Sequence, residues 1–359
     1  MIEDFSMKQL SRRVILIGIA TLTIGFSLPG LAADNPKEIR IGISGAGEGG
    51  KPRLGHSFVP TAQLRGVLEQ EFQKDGIKVV WNFFPGAGPA TNEAFANKKV
   101  DFGWHGDLPM IVGRSTGLKH KVLFAAGRFG PVYVTVPSGS NAKTFTDLKG
   151  QTFSIFKGTN AQLVFGRLVR KYGLTESDFR VISQDGFSQR TSLATGDIGA
   201  AIISPWSLEA RGVAKRLVEI RDDKTLNAPL SFWVGEEFEQ KYPHIVQRVV
   251  STLIKQAQWN SEESNRDAQY RLWAQSGVPY LDWKRDWDGY DLKERHSPLL
   301  DEYYVSSIKR SVAEAKEYKL IRRDVTVDDW IEPKYLNNAL RELSLQNYWP
   351  QLNAQGNRK

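Results

Sequence analysis

One order of elements occurs twice in this chain, and it leaves few folds open. Residues 39–43 read as a strand, and 61–74 as a helix with Leu64, Val67, Leu68 and Phe72 on one face, ended by Gly76. A second strand at 78–83, a Gly/Pro corner at 85–89, a helix over 90–96 and a third strand at 100–104 follow. The order then returns: strand 152–156, helix 160–172, strand 180–183, helix 187–195, strand 199–203. Strands alternating with helices predict α/β architecture with mainly parallel sheets. Two runs of the same order predict two similar lobes, for which 359 residues leave room.

Between the runs, 122–126 and 132–136 read as strands able to pass from one lobe to the other, and 232–234 as the return. From His244 the chain reads as mainly helical, with Ile245, Val249, Leu253 and Ala257 at helical spacing. Residues 279–298 form a charged, Trp-rich excursion, and helices over 300–319 and 333–343 close the chain. No low-complexity tract or Gly/Ser linker separates the lobes, so short crossings serve as the hinge. The expected division is 1–33 as an export signal, 34–131 as the first part of lobe one and 132–228 as lobe two. Residues 229–359 then return and complete lobe one.

Composition narrows the function. Ten tryptophans and an apolar fraction of 41% supply core material. The formal charge of +8, without a basic cluster, argues against nucleic acid and fits an anionic ligand. The absence of cysteine excludes disulfides, thiolate zinc sites and cysteine nucleophiles. At the N-terminus Lys8, Arg12 and Arg13 precede an apolar run to Leu31 and then Ala32-Ala33-Asp34, the three parts of an export signal. Ser11-Arg12-Arg13-Val14-Ile15-Leu16 also resembles a twin-arginine signal. Glu3 and Asp4 sit oddly before such a segment, which makes Met7 an alternative start.

Several chemical patterns fail on their context. Gly45-Ala46-Gly47-Glu48-Gly49-Gly50 matches the dinucleotide pattern G-x-G-x-x-G, but Lys51-Pro52-Arg53-Leu54-Gly55 intervenes before any helix. A loop at the mouth of a cleft is the better reading. Gly42-Ile43-Ser44-Gly45-Ala46 lacks the last glycine of a nucleophile elbow. The five histidines have no metal-ligand spacing, and no catalytic constellation stands out.

The turn-to-helix corners are better candidates. Gly86-Ala87-Gly88-Pro89 and Gly158-Thr159-Asn160 stand at equivalent places in the two runs, where free backbone N–H groups and a helix dipole favour an oxyanion. Either alone is an ordinary helix cap. Trp104, His105, Gly106 and Asp107 follow the third strand of the first run, and Ser204-Pro205-Trp206 the matching strand of the second. Ligands of open α/β sheets sit beyond such strand ends. Trp104 and Trp206 are then walls for a ligand body or core residues, and Asp107 a helix cap. Arg128, near the crossing, is an anion contact or a solvated hinge residue. The tryptophans at 273, 283, 287, 330 and 349 read as packing for the C-terminal helices.

From about residue 39 to 343 the chain resembles the aliphatic-sulfonate, taurine and nitrate group of solute-binding proteins of ABC importers. The resemblance is carried by Gly88-Pro89-Ala90, Val100-Asp101-Phe102-Gly103, Gly106-Asp107-Leu108-Pro109, Asp147-Leu148-Lys149-Gly150, Lys157-Gly158-Thr159-Asn160 and Gly196-Asp197-Ile198-Gly199-Ala200. It implies a two-lobed, type II-like periplasmic-binding-protein fold that closes on its ligand and delivers it to a membrane permease. The expected protein is a monomer without cofactor or metal, and its N-terminal segment predicts export to the periplasm. Carried over by position, Gly106, Asp107, Gly158, Thr159 and Asn160 line the cleft; the residue-level reading adds Gly88 from the first corner, with Trp104, His105, Arg128 and Trp206. The family often has Trp-Asp-Pro-Tyr or -Phe where this chain has Ile203-Ser204-Pro205-Trp206, so the ligand stays open. A sulfonate or sulfate ester leads, with nitrate, taurine or a thiamine-precursor pyrimidine as alternatives. A pyrimidine-synthesising enzyme of the same fold is a further one.

Overall fold

The computed structural model describes residues 35–359, so the expected export signal lies outside the described residues. The first sheet is built from β1 (Glu38–Ile43), β2 (Lys78–Phe83), β3 (Phe102–Gly106), β4 (His120–Gly127) and β10 (Leu230–Gly235). Its order is β2-β1-β3-β10-β4. The second holds β5 (Val132–Pro137), β6 (Thr152–Ile155), β7 (Arg180–Ser183), β8 (Ala200–Ile202) and β9 (Ala214–Ile220), in the order β7-β6-β8-β5-β9. The sheets share one plan. In the first, β1 runs parallel to β2 and β3, while β10 lies antiparallel between β3 and β4. In the second, β6 runs parallel to β7 and β8, while β5 lies antiparallel between β8 and β9.

Each sheet therefore takes one inner strand from beyond a crossing. The chain passes from β4 into β5 and returns from β9 into β10, and the passages are tied where Asn227 Nδ2 donates to the Gly130 carbonyl at 3.2 Å. Strand β9 had no expectation from the sequence, because 214–220 mixes lysine, arginine and glutamate into a half-exposed edge.

The packing follows the pattern of the residues. Ile39, Ile41 and Ile43 alternate along β1 and are fully buried, as a period of two requires. They join Phe102, Phe232 and Val234 in a core covered by Val249, Val250 and Leu253 of the Pro243–Ser261 helix. The second sheet buries Val134, Val136, Phe153 and Ile155 under Phe165 and Leu168 of the Asn160–Lys171 helix. The expected helix over 61–74 is instead two, Phe58–Arg65 and Val67–Phe72. Gly66 separates them in the left-handed region at φ 63°, a conformation that glycine takes at no steric cost and that caps the first helix. Among the described residues no helix is long and apolar enough to cross a membrane.

Candidate functional site

Two chambers share one residue, His56. The inner one, about 230 Å³, is walled by the crossing at Gly127, Arg128 and Gly130, by Asn160 and by Trp287 and Arg295. The outer one, about 550 Å³, is walled by the glycine loop from Gly45 to Gly50, by Phe156, by Phe187 and Arg190 and by Trp283. The loop rejected as a nucleotide site thus borders a cavity, and Glu48 within it pairs with Arg190 at 3.0 Å.

Arg295 dominates the inner chamber. It ends the short Leu292–Arg295 helix and is only 5% exposed. Its Nη1 donates to the Asp286 carbonyl at 3.1 Å, and its guanidinium lies 3.3 Å over the Trp287 ring and 4.5 Å from that of Tyr290. Nε is buried without a partner. Among the described residues no carboxylate forms an ion pair with it, although every other buried arginine has one: Arg128 with Asp301, Arg167 with Glu314. Burial pulls the Arg295 guanidinium down to about 10. The neighbouring Asp286 carboxylate is engaged by the Trp206 indole N–H.

His56 stands beside it. Its backbone adopts φ 60°, a left-handed value that is uncommon without glycine. Its ring stacks on Trp283 at 6.2 Å and meets the edge of Trp104 at 5.4 Å. Desolvation, and then the positive charge of Arg295, hold the imidazole at about 4, neutral at physiological pH. A neutral ring keeps one N–H donor and one acceptor for a ligand. The inner lining contains no acid, lysine, serine, threonine or tyrosine. Among the described residues no cluster of His, Asp or Glu is placed to hold a metal ion.

Of the ten residues expected to contact a ligand, Arg128 and Asn160 reach the inner lining. Arg128 does so with its charge spent: Nη1 pairs with Asp301 at 2.9 Å and Nη2 donates to the Leu299 carbonyl. It is buried and ion-paired, so it is no solvated hinge residue; its Nε alone is left without a partner. The Gly158–Asn160 corner is also committed locally. The Gly158 N–H donates to Gln162 Oε1 at 2.8 Å, and Thr159 caps the helix by accepting from Ala161 N at 3.2 Å. Asn160 and Ala161, at the start of the helix, border the cavity.

The other expected contacts lie outside both linings. Gly88 permits close packing, since a Cβ there would stand 2.3 Å from Pro109. Gly106 does the same between lobes, where a Cβ would be 2.7 Å from that of Asn160. Trp104 is 2% exposed and belongs to the first core. His105 accepts from Trp233 Nε1 at 3.0 Å within that sheet. Asp107 is fully buried, accepting from Leu108 N at 2.8 Å and Ser311 Oγ at 2.6 Å, with Arg167 3.6 Å away. Burial holds its carboxyl above the usual range, against the pull of Arg167. Trp206 packs between Arg216 and Arg285, at 5.0 and 5.4 Å from its ring.

Sequence reasoning missed His56, Arg295, Trp283 and Trp287. The usable signal was the 279–298 excursion itself, where arginines stand among tryptophans.

Known proteins of similar sequence and shape include binding proteins and an enzyme. A Bacillus subtilis protein provisionally named an aliphatic sulfonates-binding protein is 24% identical over 342 residues, covering 92% of this chain and 97% of that one. The crystal structure of a periplasmic sulfonate-binding protein of a Methylobacillus flagellatus ABC transporter, itself provisionally named, superposes with a TM-score of 0.75. Identity is 28%, with 89% of this chain and 98% of that one covered. The 2'-hydroxybiphenyl-2-sulfinate desulfinase of Rhodococcus erythropolis is 30% identical over 156 residues, 42% of each chain. The fold is the two-lobed one of periplasmic binding proteins, shared by an enzyme. The model of the NMT1/THI5-like family matches residues 69–263, more than half of the sequence, and the chain belongs to that family.

Proposed function

We propose that this chain is the substrate-binding component of an ABC importer, and that it captures a sulfonate or related organic sulfur oxyanion. The observation that carries the reading is Arg295, a buried guanidinium without an ion pair, facing a chamber without a carboxylate. A buried charge is costly until it is paired, and an anionic headgroup supplies the missing partner. Asn160 and the neutral His56 add donors beside it. The names of the sulfonate-binding relatives support the choice of anion.

In this reading, residues 34–131 and 229–359 form lobe one and 132–228 lobe two. The lobes close about the two crossings, with the protein working as a periplasmic monomer that hands its ligand to a permease. The desulfinase relatives raise an enzymatic alternative. The inner lining offers no hydroxyl, amine or carboxylate to act as nucleophile or acid, which favours binding without transformation. A neutral pyrimidine ligand would leave Arg295 without an ion pair, with only the more distant Asp286 carboxylate to offset its charge.

Bound ligand raises the melting temperature by mass action. A thermal-shift panel of sulfonates, sulfate esters, taurine, nitrate and thiamine-precursor pyrimidines should respond to organic sulfur oxyanions. A response to neutral pyrimidines alone would overturn the proposal.

A further inference from the structure

The inner chamber holds a headgroup and little more. Its volume of about 230 Å³ lies below the roughly 300 Å³ at which cavities for organic ligands begin. The outer chamber, about 550 Å³, meets it at His56. The charges of that outer chamber are already answered: Glu48 by Arg190, and Asp185 by the Ser188 N–H it caps at 2.8 Å.

What remains of its wall is flat and apolar. Trp283 stacks against His56 with the ring planes 10° apart, and both rings border this chamber where it meets the inner one. Phe187 borders the same space from the Gly186–Thr195 helix of the second sheet. It is 66% exposed, the most open of the large hydrophobic side chains among the described residues. An aromatic side chain left open at the rim of an apolar chamber is contact area without an occupant.

We infer that the ligand is an aryl-bearing anion. Its charged head sits at Arg295, its ring system runs past His56 along Trp283, and Phe187 covers the free face of the ring. This rests on the proposed capture of an organic sulfur oxyanion and adds the body that the oxyanion carries. Aromatic stacking then selects against short alkyl chains, which reach the head chamber and leave the outer one empty.

Titration calorimetry on the full chain separates the two claims, with ethanesulfonate, benzenesulfonate and 2-naphthalenesulfonate as probes. Burial of two fused rings should make 2-naphthalenesulfonate bind about 30-fold or more tightly than ethanesulfonate. Phe187→Ala, at an exposed position that leaves folding intact, should weaken 2-naphthalenesulfonate about tenfold and ethanesulfonate less than twofold. Equal or tighter binding of ethanesulfonate overturns the aryl inference and leaves sulfonate capture standing. A Phe187→Ala variant that weakens both probes alike, or neither, removes Phe187 from the ligand. No binding of any sulfonate by the wild type overturns both proposals.

Discussion

Replacing Arg295 by methionine should separate a ligand anchor from a structural cation. Two opposing effects act on the unliganded protein. Burial lowers the guanidinium from 12.5 to about 10, which corresponds to about 3 kcal/mol of cost for keeping it charged at neutral pH. Against this stand the stacking on Trp287 and the bond to the Asp286 carbonyl, together worth about 2 to 3 kcal/mol. Methionine fills much of the same volume without the charge, so unliganded stability should change by no more than about 1 kcal/mol. The liganded protein behaves differently. A desolvated anion that loses its only cationic partner is weakened by about 2 to 5 kcal/mol, roughly 30-fold to several thousand-fold in Kd. Urea unfolding read by tryptophan fluorescence gives the first quantity, and titration calorimetry with a bound sulfonate gives the second. A variant that binds as the wild type does would refute the anchor. One that loses more than about 3 kcal/mol of unliganded stability would show that the arginine is there to hold the fold.

Other perturbations test the surroundings. Arg190→Ala removes the Glu48–Arg190 pair across the outer chamber; the pair is part-exposed and worth about 0.2 to 1 kcal/mol. The ligand's dissociation rate, followed by stopped flow, should therefore rise about 1.4- to fivefold, and an unchanged rate would show that the pair does not hold the mouth. Asp107→Ala leaves Arg167 with Glu314 alone, leaves the Ser311 hydroxyl only the Ser307 carbonyl as acceptor, and opens a buried gap where the carboxylate stood. It should cost about 2 to 4 kcal/mol of stability while Kd moves less than about threefold, because Asp107 lines neither chamber; a selective loss of binding would return it to the site. Stability should also fall in acid. His105 is held at about 4 by burial, so between that value and the ordinary value near 6.5 the unfolded chain binds the extra proton. The stabilisation from keeping this ring neutral is complete above pH 6.5, and by pH 5 about 2 kcal/mol of it is gone. Urea midpoints at pH 7 and pH 5 that coincide would contradict this.

The architecture was open to sequence reasoning because it is written in local periodicity. Ile39, Ile41 and Ile43 alternate, and Val164 and Leu168 keep helical spacing; both patterns state which face is buried before any partner is known. Strand β9 escaped because its charged residues obscure the alternation at a half-exposed edge. The chambers were not legible for another reason. His56, Asn160 and Arg295 come from three distant parts of the chain, and their meeting depends on the two crossings and on how the 279–298 excursion folds back. Corner motifs such as Gly158-Thr159-Asn160 look alike in sequence whether their N–H groups are free or taken. Here Gln162, a single turn onward, takes one of them. Arginine beside tryptophan is likewise ambiguous, since only the missing carboxylate distinguishes Arg295 from the equally buried, ion-paired Arg128.

The central claim is that Arg295 receives the anionic head of a captured ligand. A crystal structure of the protein with 2-naphthalenesulfonate, phased to show the ligand sulfur by anomalous scattering, tests it most directly. The account predicts the sulfur in the inner chamber, with sulfonate oxygens within hydrogen-bonding distance of the Arg295 guanidinium and of Asn160 or His56. A sulfur peak at the Gly158–Thr159 N–H groups or in the outer chamber, with Arg295 untouched, would contradict it.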